Sequence, residues 1–251
     1  HYVGPWQPDH DPLRHDGLRG PADEFTPVGY DDVAVGGEFL KIGVGMLRRF
    51  SDGEYDRFKL FEITDAGQRE LTTGSDYATF RHVMKHGQYG YDYRKTLRLT
   101  DAPGLTIEYE LTNTGDVDLD GTVYNHNFYT LDGVHTGPDR AIWLPFEPTG
   151  TWREDYDSVR LLSAGIEFMR DLRQGESVFM GDMLPVGDER PIGFTVLNQK
   201  TGAGVKCIGS GRLDHIVFWG NPAVACVEPY MAFNIKPGET LRWQLAYTLL
   251  K

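Results

Sequence analysis

The sequence predicts an all-β protein, a large antiparallel β-sandwich forming a single domain over residues 1–251. Short runs of period-two hydrophobicity recur along the chain, as expected of strands with one buried and one wet face. Thirty glycines and 14 prolines punctuate these runs as turns. No segment shows a helical period of comparable strength, and about a dozen strands of this kind pack most naturally as two sheets face to face.

Taken in order, residues 1–38 read as an extended segment packing on the domain. The run Phe39 to Arg48 reads as a strand with Leu40, Ile42, Val44 and Met46 on its buried face. Lys41, Gly43 and Gly45 share the other face, so a cation stands over a groove left by missing side chains. A ligand oxygen against Lys41 is one reading; an exposed lysine on a glycine-rich strand is the plainer one. Strands follow at 57–64 and 77–83. The runs Tyr91 to Thr100 and Leu105 to Thr112 alternate clearly around Asp101-Ala102-Pro103-Gly104 and should pair as a hairpin. Further strands are expected at 121–130, 142–146, 192–197, 205–208, 216–219, 224–235 and 241–249. Charges break the alternation over 149–176, which reads as a long loop across one end of the sandwich.

Composition narrows the partners. A net charge of -12 would repel nucleic acid, and no basic stripe is present to displace counterions from phosphates. No apolar run approaches the roughly 18 residues that cross a bilayer as a helix. The first residue is His1, which suggests a processed or trimmed N-terminus. Cys207 and Cys226 sit in alternating apolar segments and have no zinc-site spacing in sequence, so neither a disulfide nor a metal is expected. No glycine-rich phosphate loop is present, and no cofactor is implied. The sequence leaves compartment and oligomeric state open.

Two stretches carry chemistry. In GTVYNHNFYTLDG, residues 121–133, alternation puts Tyr124, His126 and Phe128 on one face and Asn125 and Asn127 on the other. Polar groups in mid-strand are costly unless satisfied. His126 is either a histidine bonded to a core neighbour or an acid standing among rings on which a pyranose can stack. In VACVEPYMAFNIKPGET, residues 224–240, Glu228 interrupts an apolar strand immediately before Pro229, where an edge or bulge is expected. A carboxyl at such a break is either paired with a buried cation or turned into a cleft with a raised pKa, as a general base requires.

Tyr-Asn-His-Asn-Phe at 124–128 with Leu131-Asp132-Gly133 resembles the Asn-His-x-x-Phe-Asn-Leu motif of aldose 1-epimerases, which supplies their acid histidine. Glu228-Pro229-Tyr230, with Pro237-Gly238-Glu239 and a final strand, resembles their Glu-Pro-Gln and closing Pro-Gly-Glu strand. The resemblance runs roughly from Phe39 to the C-terminus. Within the superfamily, Gly20-Pro21-Ala22-Asp23-Glu24-Phe25 and Phe39-Leu40-Lys41-Ile42-Gly43-Val44-Gly45 are similar to an epimerase-like subgroup of unassigned specificity. It implies a galactose mutarotase-like supersandwich whose first strands are missing before His1, a sugar or oligosaccharide substrate, His126 as acid and Glu228 as base. Substrate-binding positions follow at Lys41, Arg48, His86, Tyr91, Tyr93, Asn125, Asp132, Trp219 and Tyr230.

The Leu-His-Gly-Gly motif that gives epimerases a second histidine has no clean counterpart. His86-Gly87 matches it at a different place in the order, and His10 or His15 would have to fold over the cleft. The implied activity is isomerisation at the anomeric carbon. A polysaccharide lyase or glycosidase on the same fold, or a non-catalytic carbohydrate-binding domain, are the alternatives.

Overall fold

The computed structural model of the chain describes residues 20–251 and places them in strands and turns. The first half of the 1–38 segment, residues 1–19 with His10 and His15, lies outside the described residues. In chain order the strands begin with β1 (Gly20–Phe25), β2 (Glu38–Lys41), β3 (Gly45–Arg48), β4 (Ile63–Asp65), β5 (Gln68–Thr73) and β6 (Tyr77–His86). They continue with β7 (Tyr89–Leu99), β8 (Gly104–Asn113), β9 (Leu119–Tyr129), β10 (Arg140–Trp143), β11 (Pro148–Thr149), β12 (Val159–Leu162) and β13 (Gly165–Phe168). The last six are β14 (Val178–Pro185), β15 (Ile192–Asn198), β16 (Gly204–Gly209), β17 (His215–Gly220), β18 (Ala225–Ile235) and β19 (Thr240–Leu250).

A ten-stranded sheet, ordered β12-β13-β10-β15-β16-β19-β8-β7-β6-β5, packs against a six-stranded sheet ordered β1-β9-β18-β17-β14-β11. A small sheet, β2-β3-β4, stands beside them. Among the described residues there is no helix, and therefore none long and apolar enough to cross a membrane. The expected 91–100 and 105–112 hairpin is present as β7 and β8, with Leu99 opposite Leu105. The core fills the space between the large sheets with residues of alternating parity, such as Ile107, Leu111, Phe194, Val205 and Leu245 facing Val123, Val227, Ile216 and Phe218. Trp243 stacks on Tyr109 at 4.6 Å, and Phe25 from β1 meets Tyr93 edge-on at 5.3 Å.

Three expectations need correction. Phe39 to Arg48 is a hairpin and not one strand, because Gly43 at φ 82° allows a turn closed by Val44 N–H to Lys41 C=O at 2.9 Å. Residues 57–62 form no strand; they belong to a loop over the six-stranded sheet. The 149–176 stretch is not a bare loop, since β12 and β13 pair within it and add to the edge of the ten-stranded sheet. An edge strand with a wet face tolerates Arg160 and Glu167, which pair across the ladder, so charge there does not mean loop. β5 and β14 also escaped the pattern reading; every residue of β5 is exposed, and β14 carries a bulge between Met180 and Met183.

Beneath the centre of the six-stranded sheet, the core is polar and fully bonded. Asn127 donates to the carbonyls of Asn125 and Val227, each at 2.9 Å, and its side-chain oxygen accepts from Tyr129 at 3.0 Å and Tyr247 at 3.1 Å. All four hydrogen bonds open to an amide are thus made. Asn125 donates to Asp23 at 2.7 Å and accepts from Tyr247 at 2.5 Å. Replacing Asn127 with Leu takes the side-chain partner from the Tyr129 hydroxyl and from two backbone carbonyls in the core, and leaves Tyr247 only Asn125. The expected loss is about 2–4 kcal/mol of unfolding free energy, measured by urea denaturation. A loss under about 0.5 kcal/mol would show that the network is dispensable.

Candidate functional site

Strands β9 and β18 are neighbours in the middle of the six-stranded sheet. Their ladder pairs Phe128 with Cys226 and Asn127 with Val227, breaks at Pro229, which has no N–H to give, and resumes at Tyr124 with Tyr230. This register sets His126 directly opposite Glu228. Strand β17 continues the row, with Val217 opposite Glu228, Trp219 opposite Cys226 and His215 opposite Tyr230. The face turned away from the core therefore carries Tyr124, His126, Phe128, Cys226, Glu228, Tyr230, His215 and Trp219.

That face floors a cleft of about 790 Å³, walled by Arg57 and Phe58 from the loop before β4 and by Arg153 from the loop after β11, with Phe179 and Asp182 of β14. His126 and Glu228 line it although 8% and 4% exposed, because the surrounding rings leave them open only towards the cleft. Tyr124 stacks on Tyr230 at 4.4 Å and Tyr230 on His215 at 4.3 Å, a row of rings against which an apolar sugar face can lie. On the other side Phe128 stacks on His126 at 3.7 Å.

The imidazole is held from both nitrogens. Nε2 lies 3.4 Å from Glu228 Oε1, and Nδ1 meets the Cys226 thiol. Burial pushes the Glu228 carboxyl up to about 8, against the lowering influence of Cys226 and Arg57. Burial also holds the Cys226 thiol well above its usual range, and the nearby Glu228 adds to this. Ligand atoms of His126, Cys226 and Glu228 all lie within 4.8 Å of one another, a donor set able to hold a transition ion, although 100 residues of sequence hid it.

Seven of the expected binding residues do not line this cleft. Lys41 is buried in an ion pair with Glu24 at 2.8 Å and reaches the cleft only through Glu24, which accepts from Tyr124 at 2.5 Å. Burial disfavours the Glu24 carboxylate, yet Lys41 and Tyr124 hold it below its usual range. Arg48 pairs with Glu62 at 2.8 Å, and His86 sits between Glu38 at 3.0 Å and Asp65 at 3.3 Å, both beside the small sheet. Tyr91 and Tyr93 belong to the ten-stranded sheet and point into the core, where Tyr91 donates to His82 or accepts from it at 2.9 Å. Asn125 has the wrong parity and faces the core. Asp132, at φ 55°, accepts from Asn198 and Thr201 and so ties its loop to the end of β15.

Trp219 and Tyr230 do line the cleft with His126 and Glu228. Arg57, Arg153, Phe179, Asp182 and His215 were not anticipated. The two arginines come from loops without periodicity, so nothing local marked them. His215 was legible in principle, since it shares parity with Trp219 across the same strand.

No protein-family model matches the chain, and no curated protein matches it. Solved structures do. A galactose mutarotase related enzyme from Lactobacillus acidophilus has a TM-score of 0.53 at 12% identity, over 73% of this chain and 71% of that one. A galactose mutarotase-like protein from Lactobacillus casei reaches 0.55 at 12% identity, over 93% and 85%. Another from Clostridium acetobutylicum reaches 0.52 at 12% identity, over 92% and 79%. At such identities the likeness is one of fold: the chain has the all-β, galactose mutarotase-like sandwich.

Proposed function

We propose that the chain is an aldose 1-epimerase-like enzyme that interconverts the anomers of a sugar by paired proton transfer. The observation that carries this is the His126 to Glu228 separation of 3.4 Å at the floor of one aromatic cleft. The hydroxyl oxygen and the ring oxygen of an anomeric centre share one carbon. An acid and a base directly opposite each other on adjacent strands reach both oxygens from one side. Glu228, as carboxylate, takes the proton of the anomeric hydroxyl while His126, as imidazolium, gives its Nε2 proton to the ring oxygen and is left neutral. The bond between the anomeric carbon and the ring oxygen breaks, an aldehyde forms, and the aldehyde group rotates. Reversal of the two transfers closes the other anomer and restores both groups.

A carboxyl held at about 8 by burial is a stronger base, once ionised, than a solvated one. Burial likewise keeps the hydroxyls of Tyr124 and Tyr230 above the ordinary tyrosine range, which disfavours either as the base of a lyase. A retaining or inverting glycosidase would need two carboxyl groups flanking the bond. Here Glu228 has the histidine as its near neighbour, and Asp182 is exposed.

Glu228→Gln keeps the shape and removes the base, and His126→Asn removes the acid. Each should slow mutarotation of fresh α-D-glucose or α-D-galactose, followed by polarimetry, by roughly a hundredfold or more. In the unaltered protein kcat/KM should trace a bell against pH, rising as Glu228 ionises towards about 8 and falling as His126 loses the proton it must give. No acceleration with any aldose, together with new ultraviolet absorbance from a uronic-acid polymer, would select a lyase. Blank assays with sugar-dependent protection against heat would leave a binding domain.

Stability supplies a second readout of the same proton. The folded pKa of Glu228 is raised, so the folded state binds the proton more tightly than the unfolded state does. The associated stability is complete below about 4.5 and is lost as pH rises through about 8. The amount is on the order of a few kcal/mol. Glu228→Gln mimics the protonated form at every pH, so its Tm should gain on that of the unaltered protein as pH is raised from 5 to 9. A constant difference across that range would show that Glu228 ionises in the fold as freely as in water.

A further inference from the structure

Two guanidinium groups face the cleft and neither gives nor takes the proton in the proposed transfer. Arg57 donates from Nη1 to the hydroxyls of Tyr124 at 3.0 Å and Tyr230 at 3.2 Å, with its centre 5.4 Å from the Tyr124 ring centroid. Arg153 lies 3.7 Å over the ring of Phe179. Each cation is thus propped on aromatic groups that themselves line the cleft. Among the described residues neither is in an ion pair; Arg49, Arg69, Arg140 and Arg190, also without one, donate from their guanidinium groups to backbone carbonyls, whereas Arg57 meets tyrosine hydroxyls and Arg153 a phenyl ring at the cleft.

The charge balance of the cleft wall points the same way. Its carboxyl groups are Glu228, at the floor beside His126, and the exposed Asp182. With Glu228 turned to His126, the wall carries two arginines against one carboxylate, inside a protein of net charge -12. Each guanidinium offers five N–H donors in a planar fork suited to an oxyanion, and Arg57 spends only its Nη1 on the tyrosines. A cleft of about 790 Å³ has room for a pyranose and a further substituent.

We propose that this cleft selects a sugar bearing an anionic substituent, a carboxylate or a phosphate ester, which Arg57 and Arg153 hold while the anomeric carbon lies at His126 and Glu228. The inference rests on the epimerase reading for what is done to the sugar, but not for what is bound. The carboxylate and the phosphate ester share the recognition chemistry, and the two are separated by the choice of ligand.

Isothermal titration of the full chain with D-glucuronate, D-glucose 6-phosphate and D-glucose tests it, at low salt and again at 0.5 M salt. One anionic sugar should bind at least about tenfold more tightly than glucose, and the preference should shrink at high salt. Which anion is preferred identifies the substituent. Arg153→Gln and Arg57→Gln should each reduce that preference several-fold, with Arg153→Lys in between because it keeps charge without the fork. Arg242→Gln removes an arginine paired with Glu110 outside the cleft, and should leave the preference intact. Circular dichroism establishes that each variant is folded. Glucose binding as tightly as both anions, or a preference that survives both Arg→Gln changes, overturns the inference. Neutral sugars that mutarotate with no anionic preference leave the epimerase reading and remove this one. Anionic preference without anomer exchange does the reverse.

Discussion

The pairing of β9 with β18 is the constraint on which the site depends. Both strands are interior to the six-stranded sheet, flanked by β1 and β17, so their register is fixed from two sides. A slip of one residue along either strand would turn its whole side-chain set over. His126 would enter the core and Asn125 or Asn127 would take its place. His126 and Glu228 are thus positioned by backbone geometry, and their side chains need only short excursions to meet across a cross-strand pair.

The polar core beneath the sheet supplies the energy that protects this register. Asn127 bonds to the backbones of both strands, and Tyr247 of β19 bonds to Asn125 and Asn127 together, tying the six-stranded sheet to the ten-stranded one. A one-residue slip of β9 would turn both asparagines out and leave the buried Tyr247 hydroxyl without them, at a cost of about 1–3 kcal/mol. The asparagines flanking His126 therefore belong to one device with it. They hold the strand from the core side while the histidine works on the other.

How much of this was legible follows from where the information resides. Alternation alone assigned His126, Tyr124 and Phe128 to one face and Asn125 and Asn127 to the other, since a strand has only two faces. The break at Glu228-Pro229 was equally local. Lys41 failed because its reading assumed an unbroken strand through Gly43, and a left-handed glycine made a turn instead. Tyr91 and Tyr93 failed because alternation reports a face without saying whether that face meets the core or solvent, and their inward row meets the core. Arg57 and Arg153 were invisible, since loops carry no period and only the tertiary fold brings them over the sheet. The convergence of Cys226 with His126 likewise requires the β9–β18 pairing, which no spacing within the sequence expresses.

The identity of that thiol bears on how the pair operates. A histidine whose Nδ1 met a carboxylate would gain a negative neighbour, and the imidazolium would be stabilised together with it. Cys226 keeps its proton under burial, so it offers Nδ1 a partner without adding charge. It orients the ring and leaves the Nε2 side to Glu228 and the cleft. A second anion beneath the ring would draw the proton towards the histidine by attraction and make Glu228 still harder to ionise by repulsion. With a neutral thiol there, the balance between Glu228 and His126 is set mainly by burial and by the groups at the cleft wall. A ligand that displaces water from the wall therefore acts directly on the protonation of this pair.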